Sequence, residues 1–184
     1  MIAPLALTLS LTLAAPSFDL TEWNQQRLQS QATGMWVLGG WGAANIVAGG
    51  LGAALTHDEQ LRWVFLGSAL WNTVNVALAV INLAVNWKAD PKSFDAKASL
   101  QASNSSSTIF AVNAGIDFGY LATGAFLWQR GASTQDPRMV GVGQALLIQG
   151  AFLAVFDTVM ALVLGGFTNR LVDHLNLSVD QSGL

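Results

Sequence analysis

Two carboxyl side chains stand where the sequence has almost no other charge. Asp117 is the only charged residue in 98–129, and Asp157 the only one in 139–169. Asn45, Asn72, Asn75, Asn113 and Tyr120 lie in similarly apolar stretches. Carboxyls in hydrocarbon are costly and generally mark an ion, proton or ligand path. Two at one depth can share a proton, so they could carry protons, anchor a cation or polar ligand, or act as an acid–base pair. Asn amides can join such binding, or only bond across helices and set their register. The expected ligand- or ion-binding set is Asp117, Asp157, Asn45, Asn72, Asn75, Asn113 and Tyr120.

Those residues need long apolar helices to carry them. Of the 184 residues, 52% are hydrophobic and only 10% charged, against about 25% charged in soluble domains. The mean hydropathy is +0.45. Residues 28–56 and 63–87 carry no Asp, Glu, Lys or Arg. A helical span needs about 20 apolar residues, and all four uncharged or nearly uncharged windows are that long. The expected spans are 35–55, 63–87, 107–128 and 139–166. Trp36, Trp63, Trp87 and Trp128 stand near their ends, where an aromatic belt belongs. The fold class expected is all-α, an integral membrane four-helix bundle.

The helical period sorts each span into faces. Gly42, Asn45, Gly49 and Gly52 share one face of the first span. Ser68, Asn72, Asn75, Ala79, Asn82 and Asn86 share one face of the second. Ser106, Asn113, Asp117, Tyr120 and Gly124 line up on the third, and Gly143, Gly150, Ala154, Asp157 and Ala161 on the fourth. Small residues let helices approach, and polar ones bond across the gap. The stripes should converge in one midplane polar layer, with Gln144 and Gln149 extending it towards one surface. The halves are faintly alike: 45–55 can be laid on 117–127, and 67–80 on 149–162. Asn45 then falls on Asp117 and Asn75 on Asp157. Tandem hairpins related by an axis along the membrane normal would give that pattern.

The flanking segments read differently. Residues 1–15 resemble a secretory signal, apolar and ending in small residues, or else an uncleaved apolar N-terminal segment. Residues 16–34 suggest an amphipathic helix lying on the membrane surface or running into the first span, with Asp19 as N-cap and Glu22 completing a capping box. Residues 88–106 form the longest polar loop, in which Asp90 and Pro91 could open a short helix. Residues 167–184 form a polar tail. A cleaved signal would put the middle loop outside, whereas Lys88, Lys92 and Lys97 would favour the cytoplasm. The two signals oppose each other.

Several chemistries lack their residues. There is no Cys, which excludes thiolate chemistry and disulfides. His57 and His174 lie in polar segments, unsuited to holding a haem between spans. No HExxH, GxSxG or P-loop occurs, and no Lys lies in a span. No metal or cofactor is expected. The net charge of −3 comes with no basic cluster, so no nucleic-acid partner is expected.

Five stretches occur in order: FDLTEWNQQR, GMWVLGGWGAANI, LWNTVNVALA, VNAGIDFGY and QGAFLAVFD. Together, over residues 18–165, they resemble a family of small bacterial membrane proteins of unknown function. The resemblance implies a secretion signal, four spans and a polar layer on Asn45, Asn72, Asn75, Asn113, Asp117 and Asp157. It implies no activity. The location expected is the bacterial inner membrane. The leading expectation for function is a non-enzymatic structural or assembly protein, with the bilayer and further copies of the chain as partners. The alternative is a small protein that binds or conducts an ion, proton or polar ligand through Asp117 and Asp157. An intramembrane aspartyl enzyme is remote, because the GxGD and PAL motifs are missing.

Overall fold

A computed structural model describes residues 18–182. The expected signal segment, 1–15, lies outside the described residues. Among those described the chain is all-helical: α1 (Leu20–Leu55), α2 (Glu59–Trp87), a 3-10 turn (Pro91–Ser93), α3 (Ala96–Thr134) and α4 (Pro137–Ser182). Each of the four long helices is long and apolar enough to cross a membrane. Their outward faces carry large apolar side chains such as Trp36, Leu51, Leu70, Val80, Phe118 and Leu162.

The scarce acidic residues serve largely as helix starts. The Asp19 carboxylate accepts from Thr21 N and Glu22 N, Asp58 from Leu61 N, and Asp95 from Ala98 N. Asp90 caps the 3-10 turn that Pro91 opens, and Asp136 accepts from Met139 N. Each satisfies an amide that the helix itself leaves unbonded. Glu22 does not complete a box with Asp19; its carboxylate accepts from Gln26 Nε2. α3 closes on Gln135, which takes the left-handed conformation at φ 55°.

Small residues set the helix contacts. Gly42, Gly49 and Gly52 face Val76 and Phe65 of α2, where a Cβ on Gly49 would lie 2.5 Å from the Phe65 carbonyl oxygen. Gly124 of α3 and Gly143 of α4 face each other in the same way. The second half of the chain therefore pairs as α3–α4 and the first as α1–α2. Gly141 against Gln60 and Trp63, and Gly67 against Ala145, seat α4 on α2. α2 and α3 do not pack on each other along their backbones.

The first turns of α1 run unbroken into the first span, one of the two arrangements expected, and are partly buried against the other helices. Trp23, Asn24 and Arg27 are buried there, and Leu20 packs against the core beside them. The Trp23 ring meets Phe167 edge-on at 5.6 Å. Asn24, fully buried, donates to Ser99 Oγ at 2.8 Å, and Asn86 of α2 donates to the Leu28 carbonyl oxygen. α1 is thus bonded to α2 and α3 where those two helices stand apart. The polar stretch 88–106 is likewise mostly α3, because Ser99 and Ser103 are buried polar contacts and not loop. Ser103 Oγ donates to the Leu164 carbonyl oxygen of α4. α4 extends to Ser182, through most of the stretch expected as a polar tail. Asn24→Ala should loosen this corner, with a loss of about 1 kcal/mol. The check is a fall of about 2–4 °C in the melting midpoint of the solubilised protein.

Candidate functional site

The polar residues form two clusters, not one layer. The first is a closed set of amides around Gln149, which is 1% exposed. Gln149 Oε1 accepts from Trp41 Nε1 and from Asn72 Nδ2, both at 2.9 Å. Gln149 Nε2 donates to Asn45 Oδ1 at 3.1 Å. Asn72 also donates to the Ser68 carbonyl oxygen, Asn45 to that of Trp41, and Asn75 Nδ2 to Asn72 Oδ1. α1, α2 and α4 are joined here. The Asn45 and Asn75 side chains, laid on Asp117 and Asp157 by the repeat, do not bond to each other but are linked through Asn72 and Gln149.

Asp157 lies eight residues beyond Gln149 on α4. At 1.5 Å and 100° per residue it stands about 12 Å further along the axis and about 80° round it. It therefore leaves the amide set and meets α3. Asp117 and Asp157 are 3% and 6% exposed, and their carboxyls lie within hydrogen-bonding reach of each other. Two ionised carboxylates in such contact repel, so the contact is attractive when at least one of the pair is protonated. The Asp117 Oδ2 atom is buried, and no N–H or hydroxyl donor reaches it.

The carboxyl pair lies in a cavity of about 550 Å³ in the gap between α2 and α3. Met35 and Leu38 of α1 and Leu153 of α4 also line it. Val74 and Leu78 line it from α2, and Ile109 and Ile116 from α3, all four exposed at 47–60%. Gln31, Asn82 and Ser106 stand at the end near the α2–α3 connection. Towards the other end the Trp71 and Tyr120 rings meet edge-to-face at 4.7 Å. Among the described residues, Asn113 and the Tyr120 hydroxyl have no hydrogen-bond partner.

Each expected site residue thus has a place. Asn45 and Asn72 belong to the amide cluster, and Asn113, Tyr120, Asp117 and Asp157 to the cleft. Asn75 touches both, donating to Asn72 while lining the cavity. Gln144 pairs with Gln60 at 3.0 Å nearer the helix ends, as its position suggested, but Gln149 is a centre and not an extension. Trp41 lies in an apolar run, and its indole N–H is the one signal in the sequence that it needs a buried acceptor. Arg27 was also missed. It is 2% exposed, bonds to Asn24 at 3.4 Å and lies beside the Trp23 and Phe94 rings. No group of three or more His, Cys, Asp or Glu suited to a metal occurs among the described residues.

A model of a family of unknown function, DUF6992, matches residues 37–158. The chain belongs to this family. The DUF6992 segment takes in both polar clusters, from Trp41 to Asp157, and stops short of Trp23, Asn24 and Arg27. No curated protein and no solved structure matches the chain.

Proposed function

We propose that this DUF6992 protein is an integral membrane binding protein whose site is the α2–α3 cleft. The Asp117–Asp157 carboxyl pair on the wall of a cavity that also holds Asn113 and the Tyr120 hydroxyl, both without hydrogen-bond partners, carries the reading. A helix lock has no use for unpaired polar groups on a cavity wall, and such groups in hydrocarbon are costly unless a partner reaches them. The cavity falls within the usual range for small-molecule sites, about 300–1,000 Å³. It is much larger than a bare ion or a single water, which takes about 30 Å³. The role is binding and not catalysis, and the membrane is the bacterial inner membrane. The structural role first expected for the whole polar set narrows to the amide cluster, whose members bond to one another.

The test uses dicyclohexylcarbodiimide, an apolar reagent that adds across the O–H of an un-ionised carboxyl. The acyl group then migrates to nitrogen and stays attached, so peptide mass spectrometry locates the adduct. In native membranes the adduct is expected on Asp117 or Asp157. It should vanish in the Asp117→Asn/Asp157→Asn double variant. Unlabelled carboxyls in folded protein would mean that no lipid-soluble molecule reaches the pair, and would end the binding reading.

A further inference from the structure

Apart from the Trp71–Tyr120 ring contact, α2 and α3 stand apart along the cleft, and its outer rim is apolar. Val74, Leu78, Ile109 and Ile116 line it and are themselves exposed to the surroundings. In a bilayer those surroundings are acyl chains. From Ser106 to Tyr120 the α3 wall runs about 21 Å, which suits an extended chain. The inner end differs in kind. Asn113, Asp117 and Tyr120, spaced by four and three residues, share one stripe of α3. The Asn113 amide and the Tyr120 hydroxyl lack hydrogen-bond partners there, and no N–H or hydroxyl donor reaches the Asp117 carboxyl buried beside Asp157. All three can accept a hydrogen bond.

Charge selects the head group further. A carboxyl pair holding one proton carries one negative charge. No Lys, Arg or His lines the cavity, so any negative charge on the pair can be met only by an occupant. The Trp71 and Tyr120 rings add an aromatic wall, which favours a cation over a neutral donor.

We infer that the α2–α3 cleft takes a membrane-dissolved amphiphile with a protonated amine head and an alkyl tail, entering sideways from the bilayer. The amine N–H groups meet the Asp117–Asp157 pair, Asn113 and Tyr120, and the tail lies between Leu78 and Ile109. This rests on the binding role proposed above and names the ligand class for that site.

The experiment is protection from carbodiimide labelling in liposomes. Four probes share a dodecyl tail: dimethyldodecylamine, dodecyltrimethylammonium, dodecanol and dodecanoic acid. The tertiary amine is used because it cannot form an amide with an activated carboxyl. Dimethyldodecylamine should slow labelling several-fold and raise the melting midpoint by a few degrees. The trimethylammonium probe, which has the charge but no N–H, should protect less. Dodecanol should protect weakly, and dodecanoic acid not at all. In Asp117→Asn, Asp157 should still label, but the amine should no longer protect it. Leu78→Trp, which narrows the slot without touching the polar end, should slow both labelling and amine entry.

Labelling that no dodecyl probe slows would overturn the ligand class and leave the binding role standing. So would equal protection by all four probes, which would show a site that reads only the tail. Absence of labelling in the unliganded wild type would remove the binding role itself. Full amine protection in Asp117→Asn would overturn the proposal, because the Asp117 carboxyl would then not be the anchor.

Discussion

Gly143→Leu is expected to separate α3 from α4 and abolish folding into the native bundle. A Cβ at that position would stand 2.5 Å from the Trp128 backbone nitrogen and 2.7 Å from the Gly124 carbonyl oxygen. Both are main-chain atoms of a helix, so neither can turn aside as a side chain could. Overpacking a well-filled contact costs about 1–3 kcal/mol even where side chains can yield, and here the backbones must part. We expect a loss beyond about 3 kcal/mol. Unfolding of the solubilised protein in rising dodecyl sulfate, followed by circular dichroism, measures it. Gly40→Ala is the matched control. Nothing lies within 4 Å of a Cβ there, so it should be neutral or stabilising by up to about 1 kcal/mol through helix propensity. Equal behaviour of the two variants would mean that the α3–α4 seam is not a close backbone contact.

The second large effect is expected at Gln149. Gln149→Leu keeps the volume and removes both ends of the amide. Trp41 Nε1 loses its acceptor, and Asn45 Oδ1 loses its donor. Asn72 keeps the Ser68 carbonyl oxygen as a second acceptor. A stranded buried donor costs about 1–3 kcal/mol, and bonds between membrane helices average about 0.6 kcal/mol each. The total is about 3 kcal/mol, read as a shift of the same dodecyl sulfate transition. Asn45→Ala breaks one bond to Gln149 and should lose only about 1 kcal/mol. Carbodiimide labelling of Asp117 and Asp157 should persist in Gln149→Leu protein that remains folded, because the two polar clusters lie about 12 Å apart along α4. Lost labelling in that folded fraction would show that the clusters act as one.

These two positions contrast a contact legible in the chain with one that was not. Gly143 and Gly124 could be assigned to inward stripes from spacing alone, because a residue without a side chain has one obvious use on an apolar helix. Gln149 could not be placed. Periodicity gives a residue's angle around its own helix, but not which neighbour that angle faces. Nor does it give the axial offset between helices, which depends on their crossing and on where each one starts. The assumption that each window's centre sits at a common depth therefore merged two clusters into one. The opening turns of α1 show the same gap. Arg and Gln are side chains that ordinarily face water, yet Asn24 and Arg27 are buried because Ser99 and the Trp23 and Phe94 rings receive them.

The sequence by itself determined the helical class, the four long apolar segments and the small-residue faces. It also determined the Asp19 and Asp90 caps and the two isolated carboxyls. All of these follow from composition and from interactions within a few residues. Only the tertiary structure decided that Asp117 meets Asp157 while Asn45 and Asn72 gather on Gln149. It also decided that α2 and α3 stand apart while α1 bonds to both. A cleft is a property of what fails to pack, and no local pattern records the helix that is missing from a face.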